Sequence, residues 1–107
     1  SVSGARSNSY TKKSQAPALE YLGNNGKTSI VKFDGLENNI LIDRKISIVT
    51  TEKVKNQALR QSTALKQNNL TGRWEVPNET QKLRAEKMLN ELNIKNIEVK
   101  TVDEPNL

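Results

Sequence analysis

The sequence predicts an α/β (α+β) domain, a mixed central sheet flanked by helices in the order α-β-β-α-β-α-β. Three observations predict it. Two long stretches, 51–67 and 79–92, carry apolar residues at helical spacing behind cap signals. Short branched-apolar stretches at 27–34, 39–49, 73–76 and 96–102 suit strands. Gly- and Asn-rich punctuation separates the segments.

In chain order, "SQAPALEYL" at 14–22 predicts a first helix. Ser14 caps it, Pro17 is tolerated in its first turn, and Ala18, Leu19 and Leu22 form an apolar side. "GNNG" at 23–26 ends it. "KTSIVKFDG" alternates as a strand, with Val31 and Phe33 on one face and Lys32 and Asp34 on the other. "GLENN" turns the chain into a second strand over 39–49, so the two form a hairpin. Thr50 or Thr51 caps the long helix, whose packing stripe includes Val54, Ala58 and Leu65. "RWEV" is a short strand with Trp74 and Val76 on one face. Asn78 and Gln81 make a capping box for the next helix, with Ala85, Met88, Leu89 and Leu92 inward. "NIEVKTV" closes the sheet through Ile97 and Val99.

At 107 residues the chain holds one domain, expected over 15–107 behind a flexible Ser-, Gly-, Asn- and Lys-rich lead-in at 1–14. A start on Ser1 rather than Met reads as a piece of a longer polypeptide. No apolar run suits a membrane span, and no association of the domain with a membrane is expected. The chain has no cysteine, which excludes disulfides, thiolate nucleophiles and zinc-cysteine sites. It has no histidine either, so Ser-His and Cys-His hydrolases and two-histidine ribonucleases are excluded. Chemistry here must use carboxylates, lysine, arginine, hydroxyls or a metal held by oxygen, for which magnesium is the natural candidate. A net charge of +5 points to a polyanionic partner, most simply nucleic acid.

One stretch conflicts with an ordinary buried strand. "NNILIDRKISIVT" places Asp43, Arg44 and Lys45 consecutively among branched apolar residues, at a cost of several kcal/mol unless the charges are compensated. Alternation sends Asp43 and Lys45 to one face, roughly 6–7 Å apart. Ile40, Ile42, Ile46 and Ile48 face the other way, toward the expected core, with Arg44 among them and snorkelling to solvent. The charged pair is then expected on the non-core side. A tight hairpin brings Asp34 to about 5 Å from Asp43 at closest pairing. Two carboxylates that close repel, and a divalent cation resolves the conflict. Asp34, Asp43 and the carbonyl of Arg44 could supply three oxygen ligands, with Lys45 aimed at the same water or phosphate. The plainer reading of these residues is a hairpin ion pair.

Asp34 followed by Asp43-Arg44-Lys45 resembles the D…[D/E]-x-K signature of restriction-endonuclease-like PD-(D/E)XK nucleases. Asp stands where Glu is more frequent, and no proline precedes Asp34. The text "FDGLENNILIDRK", with "QALRQS" and "GRWEVP", resembles C-terminal nuclease domains of bacterial polymorphic toxins, including contact-dependent inhibition (CdiA) effectors; the resemblance spans about residues 15–102. It implies a restriction-endonuclease-like core in which Asp34 and Asp43 hold one or two magnesium-class ions (or manganese or zinc) and Lys45 positions the attacking water. It implies that Glu20, on the early helix, is a further catalytic or metal-binding acid, with Glu37 in the turn as a substitute. The long helix would offer Gln57, Arg60 and Gln61 to the substrate, and Lys53 lies just past the active strand. Trp74 could stack on a base but reads better as core.

The function so implied is a magnesium-dependent nuclease toxin that cuts tRNA, slightly favoured, or DNA. It would be exported at the cell surface within a larger toxin, act in the cytoplasm of a competing bacterium, and be neutralised by an immunity protein acidic at its interface. The alternatives are a metal-independent ribonuclease toxin and a basic nucleic-acid-binding module without catalysis.

Overall fold

In the computed structural model, residues 17–102 are described throughout, together with the backbone of Val2 and Ser3. The protein is an α+β domain with seven strands in two sheets and two helices among the described residues. Strand β1 is Val2–Ser3, β2 is Ala18–Leu22 and β3 is Thr28–Lys32; together they form a three-stranded antiparallel sheet in the order β1-β2-β3. A mixed sheet follows, in the order β4-β5-β6-β7, from Gly35–Glu37, Ile40–Arg44, Thr71–Val76 and Ile97–Thr101. Helix α1, Glu52–Gln67, joins β5 to β6, and α2, Glu79–Glu91, joins β6 to β7.

The expected helix over 14–22 is overturned at 18–22, which is strand β2; residues 14–16 lie outside the described residues, as does most of the lead-in at 1–14. Leu19 explains the difference. It sits opposite Val31 and both are buried, so a period of two wins over the helical propensity of Ala, Leu and Glu. "GNNG" closes a hairpin instead of capping a helix: Gly23 N–H donates to the Lys27 carbonyl, and Gly26 turns at φ +80°.

The second expected hairpin is also corrected. Strand β3 pairs with β2, and the antiparallel partner of β5 is the three-residue β4. The turn between β4 and β5 is Asn38-Asn39, both at positive φ, the two-residue hairpin geometry that Asn tolerates. The strand expected over 39–49 ends at Arg44.

The two helices form as expected. Thr51 Oγ1 accepts the Val54 N–H, and Asn78 Oδ1 accepts the Gln81 N–H. Strands β5, β6 and β7 run parallel, and the two crossovers that join them lay both helices on one face of the mixed sheet. Leu41, Trp74, Val76 and Ile97 are buried on that face with Ala58, Ala64 and Leu65 of α1 and Ala85, Met88 and Leu89 of α2. Helix α1 also packs on β2, which brings Leu19, Val31 and Phe33 into the same core. Its C-terminal end is tied there: the Gln67 side chain brackets the Leu22 backbone at 2.7 and 3.0 Å, and Asn68 donates to the Glu20 carbonyl.

The other face of the mixed sheet carries charge. Arg73 reaches Glu98 at 2.8 Å, Glu37 at 3.4 Å and Glu75 at 3.7 Å, and Arg44 reaches Glu75 at 3.3 Å. Glu98 does most to raise the Arg73 pKa.

Candidate functional site

The site forms where β5 ends. Strand β4 pairs antiparallel with β5, Gly35 opposite Ile42. Extending that register by one residue sets Asp34 opposite Asp43. Asp34 is fixed twice by backbone, its N–H donating to the Ile42 carbonyl at 2.7 Å and its Oδ2 accepting the Arg44 N–H at 2.7 Å. Lys45 continues the β5–β6 ladder with an N–H bond to the Glu75 carbonyl at 2.9 Å.

Asp43 and Lys45 share a face, as expected, but it is the helix-covered face, and the expectation of a non-core side is overturned. Leu41, Asp43 and Lys45 point toward α1, in line with Trp74 of the next strand. Of the four isoleucines expected to build the core opposite, Ile42 and Ile48 are buried, whereas Ile46 is 82% exposed. The strand ends before residue 46, so alternation no longer decides its side. Arg44 shares the side of Ile42, as expected, but that side is the outer face and not the core, and its guanidinium pairs there with Glu75.

The burial of Asp43 is compensated. Gln61 Nε2 donates to its Oδ2 at 2.8 Å, and Lys45 Nζ stands 3.0 Å from the same oxygen. The Lys45 ammonium also donates to Gln57 Oε1 at 2.7 Å and lies 4.9 Å from the centre of the Trp74 ring, a cation–π contact. Gln61, with no exposed surface, accepts the Trp74 Nε1–H at 2.8 Å. One amide thus satisfies two buried partners and sets the carboxylate in place.

The side chains of Asp43 and Lys45 keep 12% and 14% of their surface open, and Asp34 is exposed, so the cluster has a buried floor and an open edge. Burial pushes the Asp43 carboxyl above its ordinary 3.8; the Lys45 charge and the Gln61 hydrogen bond pull it back, and contact with the Asp34 carboxyl raises it further.

The remaining expected residues divide. Gln57 joins the cluster, and with Lys53 and Arg60 it lines a cleft of about 460 Å³ along α1. Gln61, expected to meet substrate, positions Asp43 from within the core. Trp74 is core, as expected. Glu20 stands on a strand, not an early helix, on the side opposite the buried Leu19, and does not join Asp34 and Asp43 in a three-carboxylate group. Glu37 lies on the outer face with Arg73. The contact of Trp74 with Lys45 and Gln61 went unseen in the sequence; its only signal is the position of Trp74 beside the D-x-K strand.

Two adjacent carboxyls, one held above its usual pKa, form a donor pair that a hard divalent cation suits, because the ion replaces mutual repulsion with attraction. Among the described residues no group of three or more His, Cys, Asp or Glu could hold a metal. A cation at Asp34 and Asp43 would therefore take its other ligands from backbone carbonyl, water or phosphate, as magnesium commonly does. Comparison with protein families, curated proteins and solved structures finds no match to this chain.

Proposed function

We propose that the chain is the nuclease domain of a bacterial toxin, with a restriction-endonuclease-like core, hydrolysing phosphodiester bonds in a competitor's nucleic acid, with tRNA the favoured substrate over DNA. The observation that carries this reading is the convergence of Asp34, Asp43 and Lys45 on one partly open cluster, with Gln57 and Gln61 holding the latter two.

In this reading Asp34 and Asp43 hold the ion, each already oriented by hydrogen bonds, so little reorganisation accompanies binding. A magnesium-class ion at that pair would supply Lewis acidity toward the phosphate and a lowered pKa for water. Lys45, pinned between Asp43, Gln57 and the Trp74 ring, presents a fixed positive charge to the phosphate and orients the attacking water. Gln57, on the cleft wall, hydrogen-bonds substrate or water, and Arg60 and Lys53 contact the backbone. The domain would travel as part of a larger exported toxin, act in the target cytoplasm, and be restrained in its producer by an acidic immunity protein. Among the described residues no helix is long and apolar enough to cross a membrane.

The test is incubation of the purified chain with plasmid and with total tRNA, in magnesium and in excess EDTA. Cutting is expected in magnesium and should be lost in EDTA. Cutting that persists under chelation would favour the metal-independent ribonuclease, and binding without cutting would favour the non-catalytic module.

A further inference from the structure

The helix side of the molecule carries a second basic feature, separate from the cluster. A cleft of about 560 Å³ opens between the segment after β5, the start of α1 and the flank of α2. Lys55, Arg84 and Lys87 supply its charge, against a single acid, Glu91. Lys55 has only a long contact to Glu52, at 3.9 Å, and among the described residues neither Arg84 nor Lys87 is in an ion pair. The outer sheet face behaves oppositely, since Arg44 and Arg73 are neutralised there by Glu37, Glu75 and Glu98. With Lys55, Arg84 and Lys87 against Glu91, the cleft carries a net positive charge.

Its apolar side is Val49, which is about half exposed; Ile48 and Met88 border the cleft but are buried and offer it almost no surface. The walls are fastened together, because Ile48 N–H donates to Gln81 Oε1 of α2 at 2.7 Å. Cations beside the exposed Val49 side chain match a nucleotide unit, whose phosphate meets charge while its sugar or base meets carbon; a bare anion would need no such neighbour. The volume lies in the range of small-ligand sites. Position completes the argument: Val49 is four residues beyond Lys45, so the cleft starts within about 14 Å of the cluster.

We propose that this cleft is a second substrate subsite, which grips the phosphodiester strand a few nucleotides from the bond placed at Asp34, Asp43 and Lys45. It rests on the nuclease reading and specifies how the substrate is held: by a single strand drawn along the helix side.

The test measures binding apart from cutting. The Asp43→Asn chain is titrated against a fluorescent single-stranded oligonucleotide of about a dozen nucleotides, by anisotropy over a range of salt. Adding Lys55→Gln, Arg84→Gln and Lys87→Gln is expected to weaken binding about tenfold and to lower the log–log salt slope by about 2, for three phosphate contacts on a single strand. A charge-matched control, Lys27→Gln, Lys32→Gln and Lys66→Gln, alters exposed residues outside this cleft and should lose much less. Glu91→Gln should tighten binding by roughly twofold. Equal losses from the two triples, or no loss from the first, would overturn the proposal. Cutting by the parent chain is scored separately: if it is absent while the cleft effect stands, the nuclease reading fails and the cleft remains a binding site.

Discussion

Asp43→Asn is expected to fold as the parent does and to lose roughly 10³-fold or more of its nuclease rate, the scale on which removing one preorganised charged group acts. Asparagine keeps the shape, and its Oδ1 can still accept from Gln61 and Lys45, but it brings no charge to a cation. The same substitution has a signed effect on stability. Burial holds the folded Asp43 carboxyl above 3.8, so the native state keeps that proton more tightly than the unfolded chain. Between the two values the folded state binds more protons, and stability therefore falls as pH rises through the window above 3.8 and levels off beyond the raised value. Asparagine has no such window. Without divalent ions, the melting temperature of the variant should gain on the parent from about pH 4 upward. If the parent gains instead, the Lys45 ion pair outweighs burial, and the account of Asp43 as a carboxyl awaiting a cation is wrong.

Gln61→Leu is expected to cost about 3 kcal/mol, although leucine is apolar and close in size. It removes the acceptor of the Trp74 Nε1–H and a donor to Asp43, both in buried surroundings, and each unsatisfied group costs about 1–3 kcal/mol. For a domain of this size the melting temperature should fall by roughly 10–20 °C, measured by circular dichroism. Activity should fall as well, because the Asp43 carboxylate loses the amide that orients it. A melting temperature close to the parent's would mean that water replaces the amide, and that the floor of the site is wetter than its burial implies.

Both predictions turn on contacts that the sequence revealed unevenly. The helices were legible because Thr51 and Asn78 announce their starts with side-chain caps, and because Ala58, Leu65, Ala85 and Met88 recur at helical spacing. The meeting of Asp34 and Asp43 was legible through hairpin register, although the strand carrying Asp34 into the pair is β4 and not the longer β3. Strand β2 was hidden because Ala18, Leu19 and Glu20 favour helix locally, and pairing with β3 reverses that preference. The face of Asp43 was misread for a related reason. The run Ile40-Leu41-Ile42 offers apolar residues to both sides, so alternation cannot choose between them; two parallel crossovers choose, and they cover the side of Leu41. Gln61 shows the limit most clearly. An amide on a helix reads as solvent-facing until the helix is seen to lie over Trp74.

The central claim is that Asp34 and Asp43 together hold a divalent cation, and calorimetric titration of magnesium or manganese into the chain tests it most directly. The parent should take up the metal saturably, and Asp34→Asn or Asp43→Asn should each abolish the uptake while the far-ultraviolet spectrum stays unchanged. Uptake by both variants equal to that of the parent, or no uptake by a well-folded parent, would contradict it.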